Sequence, residues 1–389
     1  MFNIKTMNKI AAVGLERLPA EHYTIGDSVE NEDGILVRSA KLHDYDFPAS
    51  LWAIARAGAG VNNIPVDKCS EAGVVVFNTP GANANAVKEL VICAMLLTSR
   101  DIVGGTEWVK AQAATEGVEV ADVVEKGKSA FVGPELYRKT LGVVGLGAIG
   151  ALVANIGLSL GMDVYGYDPY LSVDAALRLD RHVKVVKELD TLYANSDYVT
   201  LHLPYTESTR NTVNAAAIAK MKDGVRLINL ARGELVNDGD IIAALDSGKV
   251  ACYATDFPNN RLAATPNVVA LPHLGASTPE SEDNCAVMAA NELRDYLENG
   301  NIKNSVNFPN VSMERSGVQR LCVFHRNIPA VIASITTQLG DDGVNVENMT
   351  NKSRGEYAYT VVDVGSAVDG KVIEDIRKVP GVIRMRVIK

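Results

Sequence analysis

Cysteine is scarce in this chain and follows no pattern. The five thiols, Cys69, Cys93, Cys252, Cys285 and Cys322, are isolated and odd in number, which fits neither a disulfide framework nor a CxxC metal site. Reduced, buried thiols in a cytoplasmic protein are the expectation, with no metal. Basic excess is missing too: 38 Lys and Arg against 47 Asp and Glu leave a formal charge of −9. A nucleic-acid surface would need a basic stripe, so no such partner is expected. No run of about 18 apolar residues occurs, so no membrane span is expected. The first residues, MFNIKTMNKIAAVGLERL, carry a Lys inside their only apolar segment and no small-residue cleavage site, so a signal peptide is not expected. What remains is 47% hydrophobic and 22% charged over 389 residues. That is an ordinary globular composition, too long for one core, and two or three domains follow.

Apolar runs and helical segments alternate from the start. GILVRSA, LWAIARAGA and GVVVFN read as strands, and residues 85–100 as a long helix. Residues 101–139 have a poorer pattern and are expected to be irregular. From Lys139 the alternation of strands with helices of about ten residues predicts a parallel, doubly wound sheet. Thr278 and Pro279 then open another long helix. VNFPNVSMERSG, residues 306–317, reads as a linker, and the last seventy or so residues follow a βαββαβ order, the split ferredoxin-like pattern.

Gly145-Leu-Gly147-Ala148-Ile149-Gly150 is a GxGxxG turn that follows an apolar strand and opens an apolar helix. Alone the motif is weak. Here a second strand ends in Asp168, 23 residues after Gly145, which completes the dinucleotide-binding context. The helix N-terminus offers N–H groups and positive partial charge to a pyrophosphate. Asp168 suits the adenosine ribose hydroxyls and repels a 2′-phosphate, and no arginine directly follows it, so NAD is favoured over NADP. The plain alternative is a glycine-rich turn in a ligand-free α/β domain.

With that fingerprint, the motifs RAGAGVNNI, HLPYTEST, NLARGELV and LPHLGAST resemble the NAD-dependent D-2-hydroxyacid dehydrogenases. The segment opening HRNIPA resembles an ACT regulatory domain. The resemblance implies an α/β chain with a flavodoxin-like substrate domain (residues 1–95 and 285–310), a Rossmann-type NAD domain (96–284) and an ACT domain (318–389). It implies a cytoplasmic homodimer or homotetramer oxidising a 2-hydroxy acid. Arg56 and the ACT-like unit favour 3-phosphoglycerate, the entry to L-serine synthesis. Two alternatives stand beside it: a dehydrogenase of D-lactate or glyoxylate, and a corepressor-like NAD sensor.

The chemistry needs a base for the hydroxyl proton and a cation for the carboxylate. His273, at the end of an apolar strand, supplies the first. Arg232, also at a strand end, supplies the second and polarises the C2 oxygen. A satisfied core histidine and a surface ion pair are the plain alternatives. The resemblance adds Pro204, Thr209, Ala231, Asp256 and Gly275 on the cofactor side. On the substrate side it adds the backbone of Ala59, Gly60 and Val61 for the carboxylate, and Asn83. Arg56 is the candidate for the phosphate, with Lys41 a second. The family's glutamate partner of the histidine aligns with Asn260, across a one-residue shortening before Phe257. An asparagine there would hold the imidazole without stabilising its cation. In the last domain His325, Asn327 and Asn345 resemble an L-serine effector site, with Ala330 where that pattern has glycine.

Overall fold

In the computed structural model, which describes residues 1–389 apart from the side chain of residue 174, the chain divides into two compact units. The first comprises Met1–Asn83 and Pro279–Lys389, and the second Ala84–Thr278. No helix among the described residues is long and apolar enough to cross a membrane.

In the first unit β1 (Phe2–Thr6), β2 (Tyr23–Gly26), β3 (Gly34–Val37), β4 (Ala53–Arg56) and β5 (Val75–Phe77) form a sheet of order β2-β1-β3-β4-β5. Every pairing in it is parallel. Sheets of this kind are buried on both faces, so their strands read as continuous apolar runs. Alternation sends Ile35, Val37, Ile54 and Val76 to one core and Ile4, Leu36, Ala55, Val75 and Phe77 to the other. The helix Pro279–Asn299 covers the second of these with Ala286, Ala289, Ala290 and Leu293.

In the second unit β6 (Thr140–Val144), β7 (Asp163–Tyr167), β8 (Lys184–Val185), β9 (Tyr198–Leu201), β10 (Val225–Asn229), β11 (Val250–Thr255) and β12 (Val268–Ala270) form one parallel sheet. Its order is β12-β11-β10-β9-β6-β7-β8. The order reverses between β6 and β9, and in such sheets the crevice at the strands' carboxyl ends is where ligands bind.

The chain's last sheet comprises β13 (Gln319–Arg326), β14 (Val346–Arg354), β15 (Tyr357–Val364) and β16 (Val382–Ile388), antiparallel in the order β14-β15-β13-β16. This is the ferredoxin-like arrangement expected from the βαββαβ pattern. Helices Val331–Asp341 and Gly370–Arg377 cover one face, over Leu321, Val323, Val362 and Val364. The other face does not meet water. Cys322, Phe324, Tyr359 and Val361 belong to the same core as Ile4, Phe77 and Tyr296. In a chain with few aromatics, six gather at this junction: Phe324 lies 4.7 Å from Phe308, 4.5 Å from Tyr359 and 6.5 Å from Tyr296, while Phe77 meets Tyr296 and Tyr357 meets Phe308. Burying each Phe contributes about 1.5–3 kcal/mol.

Arg320 pins the same junction. It is fully buried, and all five of its donors are used. Nε and Nη2 bond the Asp363 carboxylate at 2.6 and 2.8 Å. The remaining bonds go to the carbonyls of Asn299, Met313 and Glu314.

Three expectations are corrected. The first crossing lies after Asn83, not at residue 95, because the helix Ala84–Ser99 buries Val87, Val91 and Met95 with Leu141, Val153 and Ile228 of the second unit. The return crossing comes at Pro279 instead of residue 285, since the whole long helix packs on the first unit. The last domain is no separate body after a linker, because its sheet shares a core with the substrate-side sheet. Residues 101–139 are also more regular than their pattern suggests. They contain helices Ile102–Ala113 and Val120–Gly127, neither with a buried residue.

Candidate active site

The second unit carries the cofactor-side residues, and they fall at the carboxyl ends of its strands. Gly145 follows β6 with φ 92°, a left-handed conformation that a side chain would strain. A Cβ on Gly150 would lie 1.8 Å from the Gly145 carbonyl, so the third glycine is required by close packing of helix on strand. A Cβ on Gly147 would meet nothing within 4 Å. No side chain caps the helix Ala148–Ser159, which leaves the first N–H groups at Ala148 and Ile149 to an anion. Asp168 ends β7. One carboxylate oxygen accepts from Leu146 N–H and the other from Tyr170 N–H, both at 2.9 Å. Each keeps a lone pair for a ribose hydroxyl. Thr209 closes the turn after β9 by donating its hydroxyl to the Pro204 carbonyl at 2.7 Å.

Three further strand ends hold the reacting side chains. After β12 the backbone folds back, with His273 N–H on the Leu271 carbonyl at 3.0 Å. His273 itself has φ 52°, a left-handed conformation that costs a non-glycine residue roughly 1–2 kcal/mol. Strain of that kind persists only where the surroundings impose it, and functional sites are where it collects. Its imidazole stands 4.6 Å from the Phe257 ring, and the Arg232 guanidinium lies 6.0 Å from the same ring. Phe257 thus packs against His273 and lies within cation–π reach of Arg232.

Asp256 follows β11 directly and is 1% exposed. Its Oδ2 accepts the Gly275 N–H at 3.0 Å, while Oδ1 is buried with no hydrogen-bond partner. Burial pushes this carboxyl above its ordinary range, opposed by the Gly275 N–H and by the charges of His273 and Arg232. An unpartnered buried acceptor at the carboxyl end of the same sheet as the nucleotide loop fits an amide donor such as a nicotinamide carboxamide. With the open helix end, the space at Gly147 and the free lone pairs of Asp168, the residues present fit NAD.

Asn260 is corrected. It opens the short helix Asn260–Ala263, is exposed, and makes no hydrogen bond to His273. The neighbouring Asn259 caps that helix and bonds Asp238, which turns the segment outward. Among the described residues no carboxylate is hydrogen-bonded to the His273 ring. Sequence reasoning missed Phe257 as the ring's neighbour and Asn229 as the support of Arg232. Buried Asn229 accepts from the Ala231 and Arg232 N–H groups and donates to the Arg232 carbonyl at 2.8 Å. Its signal was an asparagine at a strand end, where it can organise the following turn.

The substrate-side candidates lie in the first unit. After β4 the N–H groups of Ala59, Gly60 and Val61 have no hydrogen-bond partner among the described residues. Three successive free N–H groups are a candidate anion nest. The Arg56 guanidinium lies beside Gly58, the residue before these three: a Cβ on Gly58, φ 153°, would sit 2.2 Å from Arg56 Nη1. Arg56 Nε donates to the Arg38 carbonyl at 3.1 Å. The Asn83 side-chain carbonyl is buried and unpartnered, and Lys41 is exposed.

The effector candidates are split. His325 is 2% exposed, its ring bonded to Thr360 Oγ1 at 2.8 Å and to the Arg326 carbonyl, so it is withdrawn as a ligand-facing group. Asn327 is exposed and donates to Gly355. Asn345 lies beyond the far end of the sheet, since His325 faces Ala358 on β15 and Val346 faces Val364. Ala330 has φ 70°, so the missing glycine does leave strain there.

The model of the D-isomer specific 2-hydroxyacid dehydrogenase NAD-binding domain matches residues 92–275. The D-3-phosphoglycerate dehydrogenase of Synechocystis sp. is 31% identical over 387 residues, covering 96% of this chain and 66% of that protein. The matched region spans 64% and 59% of two other relatives of that name, so the chain covers less than two thirds of each of the three. Hydroxypyruvate reductase of Thermotoga maritima is 41% identical over 262 residues, 64% of this chain and 80% of that protein. The crystal structure of NAD+-bound 3-phosphoglycerate dehydrogenase from Entamoeba histolytica superposes with TM-score 0.60 at 26% identity, covering 79% of this chain and 98% of that one.

Proposed function

The chain belongs to the D-isomer specific 2-hydroxyacid dehydrogenases, and from that premise we propose that it oxidises D-3-phosphoglycerate to 3-phosphohydroxypyruvate with NAD, the first step of L-serine synthesis. The observation that carries the reading is His273, held in a strained backbone conformation against Phe257, with Arg232 on the same ring. In this reading a ring nitrogen of His273 takes the hydroxyl proton as the C2–H bond breaks. Arg232 holds the carboxylate and polarises the C2 oxygen as it becomes a carbonyl. NAD, when bound, accepts the hydride. Asp256 receives the carboxamide and Asp168 the ribose. The nest Ala59–Val61 takes the substrate carboxylate and Arg56 the phosphate, with Asn83 and Lys41 as further substrate-side contacts.

Absorbance of NADH at increasing 3-phosphoglycerate, with D-lactate and glycolate, the hydroxy acid of glyoxylate, as controls, tests the reading. Turnover of a control acid in preference to the phosphorylated one would refute the substrate assignment. The Thermotoga relative favours a second reading, reduction of hydroxypyruvate, which the same assay run in reverse separates.

For inhibition by L-serine, Asn327 and Asn345 are the remaining candidates, at opposite ends of the terminal sheet, since His325 is enclosed. Calorimetry of the whole chain with L-serine tests that role, and absence of heat removes it. A homodimer or homotetramer is supported by exposed Ile102, Val103 and Val109 on a helix with no buried residue, and light scattering after size exclusion measures it.

A further inference from the structure

Strand β5 ends at Phe77, and the next two residues, Asn78 and Thr79, run beside the nest. Thr79 N–H donates to the Gly58 carbonyl at 3.1 Å. The Asn78 side-chain amide donates to the Ala59 carbonyl at 2.6 Å. Asn78 is itself tied through its N–H to the Asn304 carbonyl at 3.4 Å.

The consequence follows from the planarity of the peptide group. In a trans peptide the C=O of one residue and the N–H of the next lie in one plane and point in opposite directions. The Gly58 carbonyl therefore shares a plane with the Ala59 N–H, and the Ala59 carbonyl shares one with the Gly60 N–H. Holding those two carbonyls from the β5 side aims the two N–H groups the other way, off the strand end. A hydrogen bond to a carbonyl also polarises its peptide, which strengthens the N–H as a donor. Without the Asn78 amide the Ala59–Gly60 plane would be free to rotate, since Gly60 gives its backbone little steric restraint.

We propose that Asn78 is a positioning residue for the substrate carboxylate: its amide orients and polarises the Gly60 N–H that receives that carboxylate. The inference rests on the reading of Ala59–Val61 as the carboxylate nest. Thr79 does the same for the Ala59 N–H through its own main chain, which no side-chain substitution removes. Asn78 is thus the half of the device that mutation can test.

Asn78→Ala removes the donor, and Asn78→Asp keeps the size while leaving only acceptors. The expected result is a rise in KM for the hydroxy acid of about five- to tenfold in Asn78→Ala, the size of one net hydrogen bond. A larger rise is expected in Asn78→Asp. The inhibition constant of oxalate, a probe carrying carboxylates and no hydroxyl, should move with KM. The Kd for NADH, read by fluorescence, should stay within about twofold. A merely structural role would lower the thermal midpoint and leave the split between KM and NADH affinity unmoved. Should Asn78→Ala unfold near the assay temperature, Asn78→Asp carries the test. If the unmodified chain turns over a 2-hydroxy acid and both variants keep its KM and oxalate constant, the inference fails alone. If the unmodified chain oxidises no 2-hydroxy acid, the functional reading fails and the inference falls with it.

Discussion

Glu292 is predicted to make the first unit lose stability as pH rises, and Glu292→Gln to abolish that loss. The side chain sits in the helix Pro279–Asn299 and is 8% exposed. Its Oε1 accepts the Asn304 amide at 2.7 Å, and its Oε2 is buried with no partner. Burial, opposed by the Asn304 bond, pushes its carboxyl up to about 8. In an unfolded chain the same carboxyl titrates near pH ~4.3. Between those values the folded chain holds a proton that the unfolded chain has released, so stability falls with rising pH. The slope approaches about 1.4 kcal/mol per pH unit. Over the whole window it sums to at most about 5 kcal/mol, and above the folded value it is flat. Glutamine keeps the acceptor for Asn304 and has no proton to lose. The two tryptophans supply the assay, because Trp52 lies in the first unit and Trp108 in the second. In a Trp108→Phe background, Trp52 fluorescence follows urea unfolding of the first unit alone. The stability difference between variant and parent should widen steadily from pH 5 to about 8 and then level off. Parallel curves across that range would refute the reasoning.

Three other outcomes are expected. His273→Asn, which tolerates positive φ but supplies no base, should lower kcat by about 10²–10⁴ in steady-state assays, with NADH affinity by fluorescence unchanged. Ala330→Gly should raise stability in thermal or urea unfolding by about 1 kcal/mol, since φ 70° suits glycine; no gain would mean that the turn relaxes around alanine. Arg320→Met should cost about 3–5 kcal/mol in urea unfolding, because it leaves the Asp363 carboxylate buried without its cation.

The nucleotide loop was legible because its requirements are local: a strand, three glycines, a helix and an acid at the next strand's end lie within about 25 residues. His273 and Arg232 were legible as strand-end residues for the same reason. Asn260 was misread because its assignment depended on a gap, and the helix begun by its neighbour Asn259 turns the segment outward. The crossing at Asn83 was hidden because the helix Ala84–Ser99 is apolar on several sides, which reveals burial but not the sheet it packs on. Asn78 and Asn229 act on backbone groups made neighbours by the turn or by a parallel strand, and spacing does not encode that. The shared core left a trace in RLCVF, where Arg320 to Phe324 are all buried with no polar face for solvent. A sheet exposed on one side would have alternated.

The six-ring junction sets what can be exchanged between proteins of this architecture. A cut near Gly317 would bare Phe77, Tyr296 and Phe308 on one piece and Phe324, Tyr357 and Tyr359 on the other. A chimera that swapped the terminal sheet as a cassette would confront mismatched surfaces. The piece that keeps this core whole is the entire first unit, Met1–Asn83 with Pro279–Lys389. For this chain the boundaries of recombination lie at Asn83 and Pro279 and not at the polar segment that looks like a hinge.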